Sequence, residues 1–171
     1  MKNFDKQLLA FLHNNDISFD YHEHVPVFTV EESEDIKHTI PGTHTKNLFL
    51  TDKKWGFYLV SIEAHKRFPI KAFRKWLGTK ELSFASAEQL YEKLHLTPWS
   101  VSLFWLIYDL PPSVQVFIDK DLRDAHHVWR HPNRNDATIV LDHKMVEKFL
   151  ATTAHHTHIL ACNEKIINII N

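Results

Sequence analysis

Apolar residues near the N-terminus, Phe4, Leu8, Leu9, Phe11 and Leu12, recur at helical spacing and stop at the breaker Asn14-Asn15-Asp16. This predicts an amphipathic helix over residues 3–15. Ile17, Phe19 and Tyr21 then alternate with polar residues, the period of a half-buried strand. Thr29-Val30-Glu31-Glu32 matches a capping box, in which hydroxyl and carboxylate satisfy free backbone amides, and should open a short helix ending before Pro41-Gly42. Residues 46–50 and 56–62 are strand-like runs, with residues 52–56 as their hairpin connection. Pro69 and Gly78 bracket a second helix in the favoured order. Ser86-Ala87-Glu88-Gln89 heads a third, with Leu90 and Leu94 on one face.

The second half predicts strands over 103–107 and 114–119, joined across Pro111-Pro112, and another over 137–141. Met145, Val146, Phe149 and Leu150 place an amphipathic helix after it. Strands arrive partly as hairpins and partly separated by helices, so a simple βαβ alternation fails. The expected class is α+β, with a mixed, largely antiparallel sheet. No repeat or low-complexity linker divides the chain. The tail from His155 ends in Ile166, Ile167, Ile169 and Ile170, which either docks on the body or frays.

A length of 171 residues fits one domain, read here as 1–151 with a C-terminal tail at 152–171. Cys162 is the only cysteine, so no disulfide forms within the chain, and a reducing compartment is favoured. No run approaches the roughly 18 apolar residues of a membrane span. The first five residues include Asp5 and no apolar run, unlike a signal peptide. The expectation is a soluble, cytoplasmic protein without a membrane partner.

A net charge of −1 means that a nucleic-acid partner must be met by a local patch. Fourteen histidines stand out. His22 with His24, and His155, His156 and His158, are metal pairs by spacing alone. No acid or cysteine accompanies them in a recognisable pattern, and HExxH and CxxC are absent, so neither a metal nor a cofactor is expected. No G-x-S-x-G elbow, P-loop or dinucleotide fingerprint occurs either.

Three stretches carry candidate chemistry. In Pro41-Gly42-Thr43-His44-Thr45-Lys46-Asn47-Leu48-Phe49-Leu50, a turn feeds an apolar strand, and Lys46 shares strand phase with Leu48 and Leu50. Such an ammonium either finds an anion or snorkels to water at the strand's start. Trp129-Arg130-His131-Pro132-Asn133-Arg134-Asn135-Asp136-Ala137-Thr138 reads as a polar turn before a strand; its histidine and asparagine could hydrogen-bond a ligand, but on physics alone the ordinary turn leads. Lys66, Arg67, Lys71, Arg74 and Lys75 form a basic run with no intervening acid. On a helix, Lys71, Arg74 and Lys75 share one face while Phe73 and Trp76 lie inward, which gives either a phosphate-contacting patch or a solvated face.

These stretches, taken in order with His24-Val25-Pro26-Val27-Phe28-Thr29, Leu82-Ser83-Phe84-Ala85-Ser86 and Leu96-Thr97-Pro98, resemble the YbaK/ProX (PrdX) family. Its members are free-standing aminoacyl-tRNA deacylases related to the editing domain of bacterial prolyl-tRNA synthetase. The resemblance runs over roughly residues 1–151 and implies a barrel-like α+β fold with surrounding helices. It implies metal-free trans-editing of a mischarged tRNA, alanyl-tRNA(Pro) by default, in which the terminal ribose and backbone amides activate water. Lys46, Asn47 and His131 would be the catalytic set. Phe28, Thr29, Trp99, Ser100, Ser102 and Asn133 would surround the substrate, and the basic 66–75 run would touch tRNA. Prolyl-tRNA synthetase is a further implied partner. One loop departs from the pattern: where this branch carries a G-S-V-S-P-F-G-L-I-N-D segment, residues 99–109 place Trp99, Leu103, Trp105 and Tyr108 at the glycine, proline, glycine and asparagine positions. Tryptophan offers neither the φ freedom nor the close approach of glycine. Two readings follow: a deacylase with a reshaped pocket, or a catalytically silent tRNA- or synthetase-binding module.

Overall fold

The computed structural model describes residues 5–27, 29, 36, 38–52, 54, 56–94, 101–163 and 167–170. The N-terminal helix is α1 (Lys6–Asn14), started by Asp5, whose carboxylate accepts from the amides of Gln7 (2.9 Å) and Leu8 (3.2 Å). After β1 (Asp20–Glu23), the hairpin forms as β2 (Thr45–Asp52) and β3 (Phe57–Glu63). Asp52 closes that turn by accepting from the amides of Lys54 (2.8 Å) and Gly56 (2.9 Å). The helix of the 29–32 capping box falls largely outside the described residues.

Helix α2 (Ile70–Leu77) runs between Pro69 and Gly78, which ends it in the left-handed conformation at φ +67°. Strand β4 (Leu82–Phe84) leads to α3 (Ala87–Leu94), and its capping box is reciprocal. The Ser86 amide donates to Gln89 Oε1 at 2.9 Å, and the Gln89 amide donates to Ser86 Oγ at 3.2 Å. Next, Leu103–Tyr108 forms a 3-10 helix where the apolar run predicted a strand. Leu103, Phe104, Trp105 and Leu106 are all fully buried, so the run is apolar on every side and has no period to separate strand from helix. The Ser102 hydroxyl decides the outcome locally by capping the Phe104 amide at 3.3 Å.

The chain continues through β5 (Val114–Asp119), α4 (Lys120–Arg123), β6 (His127–Arg130), β7 (Ala137–Asp142), α5 (His143–Thr152), β8 (Thr157–Cys162) and β9 (Ile167–Ile170). Six strands form one sheet in the order β4-β2-β3-β5-β8-β9, with β3–β5 and β5–β8 parallel and the other pairs antiparallel. Three form an antiparallel sheet, β1-β7-β6. The α+β class and the mixed, largely antiparallel pairing are therefore observed. Among the described residues the larger sheet ends at β4 and β9 and does not close into a barrel. The apolar tail docks: β8 and β9 extend that sheet.

Both faces of the larger sheet are covered. Phe49, Leu59, Val116 and Ile118 pack with α1, the 3-10 helix and α5 through Leu8, Leu12, Trp105 and Phe149. On the other face Leu50, Val60, Phe117 and Leu160 pack with Phe68 and Phe73 at and around α2. Emptying the Phe73 position costs about 3–5 kcal/mol by the usual aromatic-to-alanine scale. Trp76, expected inward, stacks on Phe73 yet stays 45% exposed. No helix among the described residues is long and apolar enough to cross a membrane.

Candidate active site

The two sheets meet where the start of β2 crosses β6. Thr43 bridges Val128; its amide donates to His127 O at 2.8 Å, and its carbonyl accepts from the Trp129 amide at 3.0 Å. Thr45 Oγ1 donates to Trp129 O, and Trp129 Nε1 donates to Pro41 O, both at 2.8 Å. This crossing explains the Pro41-Gly42 turn. Gly42 has φ +117°, and a Cβ there would stand 3.0 Å from the His127 carbonyl oxygen, so only glycine allows the approach. The crossing carries Asn47 towards the turn that follows β6.

Around that turn, residues 24–27 zip against residues 135–138. The His24 amide donates to Asp136 O (3.0 Å), the Val27 amide to Asn135 O (2.9 Å), and Asn135 Nδ2 to Val27 O (3.2 Å). His24 Nε2 meets Thr138 Oγ1 at 3.0 Å, and the His24 and His131 rings lie 6.3 Å apart. Asn133 holds the left-handed φ of +59° that asparagine tolerates better than most residues. Its Nδ2 donates to Asp5 at 3.4 Å, and the Tyr108 hydroxyl donates to the same carboxylate. Burial and the Asp5 charge raise the Tyr108 pKa, which keeps it a donor. A substituted loop residue thus ties the start of α1 to the 131–136 turn.

His131 Nδ1 faces the Ala137 carbonyl at 3.1 Å, which assigns the proton to Nδ1 and leaves a lone pair on Nε2. Burial holds the His131 pKa below the ordinary value, so the ring is neutral at neutral pH. Asn47 Nδ2 donates to Val101 O at 3.1 Å, while its buried Oδ1 has no partner. The Ser102 hydroxyl donates to the His131 carbonyl and accepts from Phe104, so it buttresses the site and is not placed as a nucleophile. The arrangement offers an open amide acceptor and a neutral imidazole acceptor, positioned by backbone on both sides. It suits holding an ester and a water or hydroxyl donor.

Asn47, Ser102, His131 and Asn133 are therefore brought together. Lys46 is half-buried, and strand alternation sets it on the phase of Leu48 and Leu50, opposite Asn47 and Phe49. Thr29 is exposed, and Phe28, Trp99 and Ser100 lie outside the described residues. Trp105 is fully buried and edge-on to Phe49, with ring centroids 5.9 Å apart, so its bulk belongs to the core. Of the basic run, Arg67, Lys71, Arg74 and Lys75 are exposed. Lys66 is engaged by Asp119 (2.7 Å) and Asp121 (2.5 Å). Burial opposes its charge, but the two acids prevail and raise its pKa. Among the described residues no three His, Cys, Asp or Glu side chains are grouped to hold a metal.

Comparison with known proteins decides the family. The profile described as "Aminoacyl-tRNA editing domain" matches residues 24–149, which span His24, Asn47 and His131. The chain belongs to the aminoacyl-tRNA editing domain family. It is 37% identical over 144 residues to the prolyl-tRNA editing protein ProX of Acetoanaerobium sticklandii, covering 84% of this chain and 88% of that one. It is 33% identical over 158 residues to the prolyl-tRNA synthetase associated domain-containing protein 1 of Danio rerio, covering 91% and 86%. A crystal structure proposed as a trans-editing enzyme for prolyl-tRNA synthetase shares the fold at TM-score 0.64 and 17% identity, covering 88% of this chain and 92% of that one.

Two further buried residues stand beside this candidate site. Arg130 is 1% exposed, and its guanidinium donates to Ser61, which stands directly across from Asn47 in the β2–β3 register. Ser61 was legible only as an ordinary strand position, and Arg130 only as part of the polar turn at 129–138. His24 stood in a matched segment, and its pairing with Thr138 and His131 came from the fold.

Proposed function

We propose that this protein is a trans-editing hydrolase that deacylates mischarged aminoacyl-tRNA, with the acceptor end of a tRNA(Pro) as substrate. The observation that carries this reading is the neutral His131, fixed by Ala137 and gathered with the open Asn47 amide in a chain of the editing-domain family. Relatives named as a prolyl-tRNA editing protein support tRNA(Pro), and alanyl-tRNA(Pro) is the first substrate to test.

In the proposed reaction a water oxygen attacks the ester carbonyl carbon. The bond to the ribose oxygen breaks, that oxygen takes a proton, and free amino acid leaves the tRNA. His131 Nε2 accepts from the terminal ribose hydroxyl, and Asn47 Oδ1 accepts from the α-ammonium. Lys46 anchors the nucleotide end, and the exposed Arg67, Lys71, Arg74 and Lys75 meet phosphates. The reaction needs no metal, and the protein works in the cytoplasm, where prolyl-tRNA synthetase is a candidate partner.

The test is a deacylation screen against alanyl-, cysteinyl- and seryl-tRNA(Pro), with and without chelator. At least one substrate should be hydrolysed well above the uncatalysed rate, equally in chelator. Lys46→Ala should lower that rate by at least about 100-fold with an unchanged thermal melt. Tight tRNA binding without turnover of any substrate would favour the silent binding module, and full activity of Lys46→Ala would remove the anchor role.

A further inference from the structure

Helix α2 ends in a surface that packing alone does not account for. The Trp76 ring lies parallel to Phe73, with planes 2° apart and centroids 6.1 Å apart, and edge-on to Phe117 at 5.8 Å and His158 at 6.1 Å. Beneath it Phe73 and Phe117 are fully buried and meet edge-on at 4.9 Å, and His158 stacks on Phe117 at 4.8 Å. These rings fix the orientation of the indole, yet it remains 45% exposed. Water-facing indole area adds nothing to hydrophobic stability, because only area removed from water contributes. A rigid, exposed aromatic is a surface whose ordering cost on binding is already met.

The charge around this ring has one sign. Arg67, Lys71, Arg74 and Lys75 are exposed, α2 carries no acid, and among the described residues no ion pair engages these four. Lys71 and Lys75 are neighbours one turn apart, and Lys75 adjoins Trp76 in the chain. α2 packs on the sheet face of Leu48 and Leu50, the strand phase that Lys46 shares. The indole and its cations therefore stand on the anchor lysine's side of the sheet, away from the Asn47 face. An RNA duplex would meet the cations but keeps its bases stacked within the helix. An acidic peptide would likewise meet the cations, with no flat ring required to face the indole. Unpaired nucleotides engage both features, since phosphates meet cations and every base has a π face.

We propose that α2 binds unpaired nucleotides of an RNA, with a base stacked on Trp76 and flanking phosphates held by Lys71, Arg74 and Lys75. In the tRNA reading above, on which the identity of the RNA rests, those nucleotides belong to the acceptor end. Trp76 acts in binding and takes no part in ester cleavage.

The test follows binding by fluorescence anisotropy across a salt series, using a labelled single-stranded RNA of about eight nucleotides ending in CCA and the same strand annealed to its complement. Trp76→Leu keeps apolar bulk without a flat ring. It should weaken single-strand binding by at least about fivefold while leaving duplex binding and the salt slope unchanged. Trp76→Phe, which restores a ring, should recover most of that loss. Lys71→Ala with Lys75→Ala should instead flatten the salt slope by about one or more. Equal single-strand affinity in Trp76→Leu and wild type, equal losses on single strand and duplex, or no RNA binding by wild type would each overturn the proposal. So would light scattering that shows a wild-type dimer split by Trp76→Leu, which would make the indole a contact between copies. Because binding is read without turnover, a protein that binds through Trp76 but hydrolyses no mischarged tRNA would refute the deacylase reading and leave this proposal standing.

Discussion

Two buried charges in this molecule are treated in opposite ways. Asp109 receives four donors, including two backbone amides and an imidazole. Arg130 receives one acceptor, Ser61; its Nε and Nη2 are buried without partners, and burial pulls its pKa down to about 9. The contrast extends to their surroundings. Among the described residues, seven buried side-chain polar atoms lack a partner, and five sit on Asn47, Trp105, Arg130 and Asn133, in or beside the candidate site. The centre around Asp109 is complete on the protein's own groups, apart from His155 Nδ1. The centre around Arg130 is left open. Complete networks hold a fold rigid, while open ones cost stability and are completed by water or ligand.

The largest effect expected from this contrast is on Asp109. Asp109→Ala strands His155 and two amides, and should cost about 3–5 kcal/mol in urea unfolding. A loss below about 1 kcal/mol would erase the distinction between the two centres. On the open side, His131→Ala should lower kcat/KM on the best substrate by about 100-fold, the low end for proton-handling groups. For the wild type, kcat/KM should stay flat through neutral pH and fall only below about 6.5, as the ring takes up its proton against burial. A decline starting above pH 7 would contradict the neutral imidazole.

A smaller effect is expected in acid. The Asp109 carboxyl is held at about 2 against an ordinary 3.8, so its folded pKa is depressed. The stability it adds is fully present above about pH 4 and is lost as pH falls towards 2, a change of about 2 kcal/mol. Asp109→Asn should flatten that part of the stability curve, and a curve identical to wild type would break the assignment. The smallest change is expected for Arg130→Met, which replaces an under-partnered buried cation with an apolar chain. Its stability should lie within about 1 kcal/mol of wild type, or above it. A loss of 3 kcal/mol or more, on the scale of a broken buried pair, would show that Arg130 is as well satisfied as Asp109.

The substituted loop follows the same logic. Trp105 fills the core against Phe49, so Trp105→Gly would excavate it rather than widen an opening. Reading the loop as a string of bulky replacements identified the positions that changed, but not which way the indole at 105 points. The apolar run offers no period there, and the Ser102 cap on Phe104 emerged only from the structure.

Features set by neighbours in the chain were legible in the sequence alone. They include the Asp52–Gly56 hairpin, the Pro69 and Gly78 bracket, the reciprocal Ser86–Gln89 cap and the opposite phases of Lys46 and Asn47. Each rests on contacts within a few residues, or on the fixed period of a strand, so the local sequence contains the whole cause. The T-K-N and H-P-N segments also supplied Asn47, His131 and Asn133 of the candidate site. Tertiary structure alone decided that Thr43 bridges Val128, that Arg130 turns inward to Ser61, that Asp109 meets His155 across 46 positions, and that the isoleucine tail pairs as an edge of the sheet. Those outcomes depend on which distant segments share a layer. Burial and hydrogen-bond satisfaction across the whole molecule settle that choice, and no window of the chain contains both partners.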